Sequence, residues 1–150
     1  MIAETGPIVC ATRGGEGSRA AQLEAIRAAR DAGTALTFLY VVDVNMLGAV
    51  DEKLAKSVRA ELEWLGGALL RVAKQRAEQV GVDVDIVILE GVVRDEIIRY
   101  LRDNHASLLL LGAPRGTTSR FGDDAIELFA RSIEQEAGTS VLVVRPEELS

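Results

Sequence analysis

Short apolar runs alternate with longer stretches whose apolar residues recur at helical spacing. Pro7 to Thr12, PIVCAT, is a short continuous apolar run, and Thr34 to Asp43, TALTFLYVVD, is rich in β-branched and aromatic residues. Val82 to Leu89 alternates and then turns fully apolar, Leu108 to Leu111 is four leucines, and Ser140 to Arg145 reads SVLVVR. Continuous runs of this length predict strands buried on both faces, and the alternating start of Val82 to Leu89 predicts a strand near an edge.

Between them lie helical patterns. Ser18 is the expected N-cap of the first, with Ala20, Leu23, Ile26 and Ala29 inward and Gly33 as C-cap. The second, Asp51 to Val80, carries one apolar stripe of Leu54, Val58, Leu62, Leu65, Leu69 and Val72, and Gly66-Gly67 predicts a bend. Trp64 falls beside that stripe; helix packing is its expected role, a dimer contact the alternative. Asp95 to Asn104 should bury Ile97, Ile98 and Leu101, and Asp123 to Ala137 should bury Ile126, Phe129, Ala130 and Ile133 before Gly138 closes it. Strict β-α alternation over residues 1–150, with no linker or repeat, predicts a single α/β domain with a parallel sheet and helices on both faces. Ligands of such sheets bind beyond the carboxyl ends of the strands, so the candidate positions are Thr12 to Gly17, Val42 and Asp43, Glu90 and Gly91, and Gly112 to Gly122.

Composition narrows the partners. The net charge of −6 leaves no excess of Lys and Arg to displace counterions from a nucleic acid. No segment approaches the ~20 apolar residues of a membrane span. The start MIAETGPIVC has an acid and no basic leader, so no signal peptide is expected and the cytoplasm is the expected compartment. Cys10, the single cysteine, lies inside an apolar run and reads as a buried thiol.

The chemistry-bearing motifs are sparse. Gly15-Glu-Gly17-Ser-Arg-Ala20 formally matches the G-x-G-x-x-(G/A) fingerprint, and Asp43 lies near the ~20-residue offset of a ribose-binding acid, so an NAD-type half-domain is one alternative. There is no G-x-S-x-G elbow and no G-x-x-x-x-G-K-(S/T) phosphate loop. His105, the sole histidine, sits in a helix-to-strand turn at the amino end of the sheet, away from the expected site. No Cys/His metal set exists; Asp123 and Asp124 are weak candidates for Mg²⁺, though two acids at a helix start equally suit an N-cap and the helix dipole. Arg13, Arg115 and Arg120 follow the first and fourth strands and suit an anion.

Taken together, the pieces from Ile8 to Pro146 resemble the universal stress protein family. IVCATRGGEGS resembles the family's first strand and its acid-Gly-Ser turn. Val41-Val42-Asp43 resembles the end of its second strand. Gly91-Val-Val-Arg-Asp-Glu-Ile97 echoes a Gly-x-Pro-x-x-x-Ile helix entry, with Val93 where Pro is favoured, and VLVVRP matches the family's end. The resemblance implies a Rossmann-like sheet of the adenine-nucleotide α-hydrolase type, in order 3-2-1-4-5. It also implies a homodimer through the last strand, Ser140 to Arg145, and stress response as the biological setting.

Some family members bind ATP through a Gly-x-x-Gly loop followed at a fixed distance by Gly-(Ser/Thr), whose backbone N–H groups meet the phosphates. Here Gly112 matches the first glycine. Arg115 stands at the second, with Gly116 one later, and Ala125-Ile126 or Glu127-Leu128 replaces the closing pair. Arg13 replaces the acid at the end of the first strand. These departures argue against the usual ATP mode. The expectation is a non-catalytic binding protein for a nucleotide or other anion, held by Thr12, Arg13, Gly14, Val42, Asp43, Gly112, Arg115, Gly116, Thr117, Thr118 and Ser119. A slow Mg²⁺-dependent nucleotide hydrolase or transferase using Asp123 and Asp124 is the alternative.

Overall fold

A computed structural model of the protein describes residues 6–12, 15–43, 51–113 and 125–146, with the backbone alone for 15–17. The elements run β1 (Ile8–Ala11), α1 (Gly15–Ala32), β2 (Leu36–Asp43), α2 (Glu52–Glu78), β3 (Val84–Gly91), α3 (Val93–Asp103), β4 (Leu108–Gly112), α4 (Ala125–Ala137) and β5 (Ser140–Val144). All strand pairings are parallel, in the order β3-β2-β1-β4-β5. Fold class and strand order are therefore those expected from the sequence.

The central strands β1, β2 and β4 are mostly apolar because both of their faces are covered. Ile8 and Cys10 of β1, Phe38 of β2 and Leu110 of β4 pack with Ala25 of α1 and Leu70 and Ala73 of α2. Their neighbours Val9, Leu39 and Leu109 turn the other way, onto Ile97 and Leu101 of α3 and Ile133 of α4. Alternation along a strand sends successive side chains to opposite layers, so a strand between two helical layers has no polar face to show.

Two helices differ from expectation. α1 begins at Gly15, which places Ser18 inside the helix and buried instead of at the N-cap. In α2 the predicted stripe is not the core face. Leu54, Leu65 and Val72 are about half exposed, while Gly66, Gly67, Leu70, Ala73 and Ala77 are buried. The core-facing residues are small because the helix lies close on β2, and small residues carry little hydrophobic signal. Trp64 is 69% exposed and belongs to neither core cluster, so helix packing is not its role. Asp51 caps α2 by accepting a hydrogen bond from the Leu54 N–H at 2.9 Å.

α3 closes through His105, whose φ of +51° is left-handed, with the Ala106 N–H returning to the Leu101 carbonyl at 3.1 Å. That turn lies beside Gly6, at the amino end of the sheet. A Cβ on Gly6 would overlap the His105 carbonyl oxygen.

Candidate functional site

β1 ends in the middle of the sheet, between β2 and β4, and chain connections leave in opposite directions from there. Thr12 directly follows β1, Asp43 ends β2 and Gly112 ends β4. All three line one cleft of about 780 Å³. Its walls come from every layer: Tyr40 and Val41 of β2, Leu62 and Leu65 of α2, Val93 and Ile97 of α3, and Ile126 and Phe129 of α4. The described lining is mostly apolar, with Thr12, Ser18, Tyr40 and Asp43 as its polar side chains.

Thr12 is fixed on two sides. Its backbone N–H donates to the Leu39 carbonyl at 2.8 Å, continuing the β1–β2 ladder. Its Oγ1 accepts from Gln22 Nε2 at 2.8 Å, and both residues are buried. Ser18, displaced into α1 by the early helix start, lines the cleft beside them. Burial raises the Tyr40 hydroxyl above its ordinary value.

Among the other expected site residues, Val42 is fully buried and does not line the cleft. Glu90, at the end of β3, is ion-paired with Arg59 of α2 at 2.9 Å. Gly15 and Gly17 lie within α1, so the first glycine of the dinucleotide fingerprint opens the helix and is not the preceding turn. Arg13, Gly14, Arg115, Gly116, Thr117, Thr118, Ser119, Arg120, Asp123 and Asp124 lie outside the described residues. Among the described residues no group of three or more His, Cys, Asp and Glu could hold a metal ion. His105 belongs to the amino end and Cys10 to the α1/α2 core; burial pushes the Cys10 thiol up to about 12.

The helix that follows β4 bears on anion binding. Glu127 sits in the first turn of α4 and is ion-paired at 3.1 Å with Arg145, just after β5. A helix N-terminus carries partial positive charge. Here a carboxylate of the chain already occupies part of that field.

Sequence reasoning missed Ser18, Tyr40, Ile97 and Phe129 in the cleft lining, and Gln22 behind Thr12. The spacing of Ile97 and Phe129 marks them only as core residues, and the position of Ser18 marks it only as a cap. Nothing in the pattern marked Gln22 as turned inward toward the end of β1.

The model of the universal stress protein family matches residues 4–145. The chain belongs to that family. A curated member, the universal stress protein MJ0531 of Methanocaldococcus jannaschii, is 31% identical over 141 residues, covering 92% of this chain and 81% of that protein. In structure the chain is similar to the universal stress protein UspA from Lactobacillus plantarum, with a TM-score of 0.79 and 19% identity, covering 96% of this chain and 100% of that one. It is also similar to a universal stress protein family protein from Arabidopsis thaliana solved with AMP bound. That TM-score is 0.67 at 14% identity, covering 93% of this chain and 91% of that one. No described helix is long and apolar enough to cross a membrane.

Proposed function

We propose that the chain is a non-catalytic binding protein of the universal stress type, dimeric and cytoplasmic, whose cleft takes an adenine nucleotide of lower charge than ATP. The observation that carries this reading is the cleft of about 780 Å³ at the carboxyl ends of β1, β2 and β4. It lies at the topological switch point of a parallel sheet, where ligands of such folds bind, and its volume falls within the roughly 300–1,000 Å³ of ligand sites. The AMP-bound Arabidopsis protein of the same fold supports a nucleotide as the occupant. Glu127 in the first turn of α4, held by Arg145, already takes up part of the field at that helix end, which supports an occupant with fewer charges than a triphosphate. Gly112, Gly116, Thr117, Thr118 and Ser119 would supply donors, and Arg13 and Arg115 countercharge, to a single phosphate.

The dimer would form through β5. That strand is an edge of the sheet, and its Leu142 is 43% exposed. An open edge with an apolar side chain favours pairing with a second copy.

Native mass spectrometry of freshly purified protein, with and without added AMP, tests the reading. Masses of two chains with one nucleotide per chain are expected, with nucleotide retention reduced by Arg13→Ala and Arg115→Ala. Monomers that take up no nucleotide would overturn it. Mg²⁺-dependent ATP hydrolysis lost in Asp123→Asn would instead establish the hydrolase alternative, and retained NAD dependent on Gly15 and Gly17 the dinucleotide one.

A further inference from the structure

Gln22 is 6% exposed and Thr12 is 2% exposed, an amide and a hydroxyl both withdrawn from water at the end of the central strand. Such burial is costly unless the groups are hydrogen-bonded. They are bonded to each other: Gln22 Nε2 donates to Thr12 Oγ1 at 2.8 Å across ten residues of sequence. A hydroxyl accepts on its lone pairs and has one proton to give. The Gln22 amide fills an acceptor site of Thr12 and leaves that proton for another partner. Among the described residues no acceptor takes it. Thr12 lines the cleft, and Gln22 does not.

We infer that Thr12 is a specificity-determining residue of the cleft, its hydroxyl donating to a ring nitrogen of the bound base. Gln22 is the positioning residue that holds the oxygen from behind. The inference deepens the nucleotide reading and rests on it. A base fits this end of the cleft better than a phosphate does. Among the described residues, Ala11, Leu39 and Leu111 line the cleft with Thr12 at this end, an apolar setting that suits a flat ring face. A purine ring is flat and largely apolar, with bare acceptor nitrogens on its edge, and one fixed donor suffices to orient it.

The direction of the Gln22–Thr12 bond makes the role of Gln22 testable. In Gln22→Leu the hydroxyl loses its donor and is free to turn. In Gln22→Glu a carboxylate would stand opposite Thr12 and draw the hydroxyl proton to itself, away from the cleft.

The experiment is calorimetric titration of AMP and of 1-deaza-, 3-deaza- and 7-deaza-AMP, each with one ring nitrogen replaced by C–H. The wild-type protein should bind one of the three analogues about 5- to 20-fold more weakly than AMP, as expected for one buried hydrogen bond. Thr12→Val should bind AMP as weakly as that analogue and no longer distinguish the two, and Gln22→Glu should behave alike. Thr12→Ser, which keeps the hydroxyl, should retain the distinction, and thermal melting shows that each variant is folded. Equal binding of AMP and all three analogues by the wild type, or undiminished discrimination in Thr12→Val, would overturn the inference while leaving the nucleotide reading intact. A wild-type protein that binds no AMP would overturn both.

Discussion

The ring of Tyr40 fills the space where a side chain at Gly66 would stand. A Cβ at Gly66 would overlap Tyr40 Cδ2 and lie 2.7 Å from Cε2, so α2 rests directly on β2 at this point. Tyr40 also lines the cleft, so the same contact fixes one of its walls.

Gly66→Ala should therefore destabilise the protein by up to about 2 kcal/mol, because overpacking of about 1–3 kcal/mol against a ring outweighs the ~1 kcal/mol gained in helix propensity. Gly67→Ala should behave differently. Its nearest neighbour would be the flexible Arg71 guanidinium at 3.1 Å, and the propensity gain should leave it neutral or up to ~1 kcal/mol more stable. Urea unfolding of the two variants checks the contrast; equal shifts would contradict it.

The same contact shows why the buried face of α2 differs from its most apolar stripe. The existence and approximate span of the helix are legible in the sequence. The buried face is not, because Gly66, Ala73 and Ala77 are selected for closeness and not for hydrophobicity, while Leu54, Leu65 and Val72 look like core and stand half in water.

At the other end of the sheet, His105 holds a left-handed φ of +51°. A side chain pays a steric penalty there that glycine avoids. His105→Gly should raise stability by about 0.5–1 kcal/mol. Gly6→Ala should lower it by about 2–3 kcal/mol, since the obstacle is the His105 backbone carbonyl, which cannot rotate aside. Thermal denaturation of both variants measures the two signs.

The Cys10 thiol is raised by burial from 9.0 to about 12. An unfolded chain releases this proton near 9.0, whereas the folded chain holds it until about 12. The unfolded state therefore gains at high pH: the contribution is intact below 9.0 and drains away between 9.0 and about 12. The expected loss is ~1.4 kcal/mol per pH unit within that window. Urea unfolding under reducing conditions at pH 8, 9 and 10 should show it, with a shallower slope in Cys10→Ala. A thiol reagent should leave the native protein unlabelled at pH 8 and label it in denaturant.

Much of the site's frame was legible too. Thr12, Asp43 and Gly112 follow from strand ends alone, because a parallel sheet brings its carboxyl ends to one edge. The rest depends on which way side chains turn. Val42 lies beside Asp43 in the chain yet is fully buried and does not line the cleft, and Gln22 of α1 reaches Thr12 through a contact that only the folded chain brings together.

The most direct test of the account is an isothermal titration of the purified protein with AMP, repeated with ATP in the presence of Mg²⁺. One AMP per chain is expected, with ATP bound at least about 10-fold more weakly, equivalent to ~1.4 kcal/mol, because Glu127 and its Arg145 partner already take up part of the field at the start of α4. Tighter binding of ATP than of AMP, or no heat with either, would contradict it.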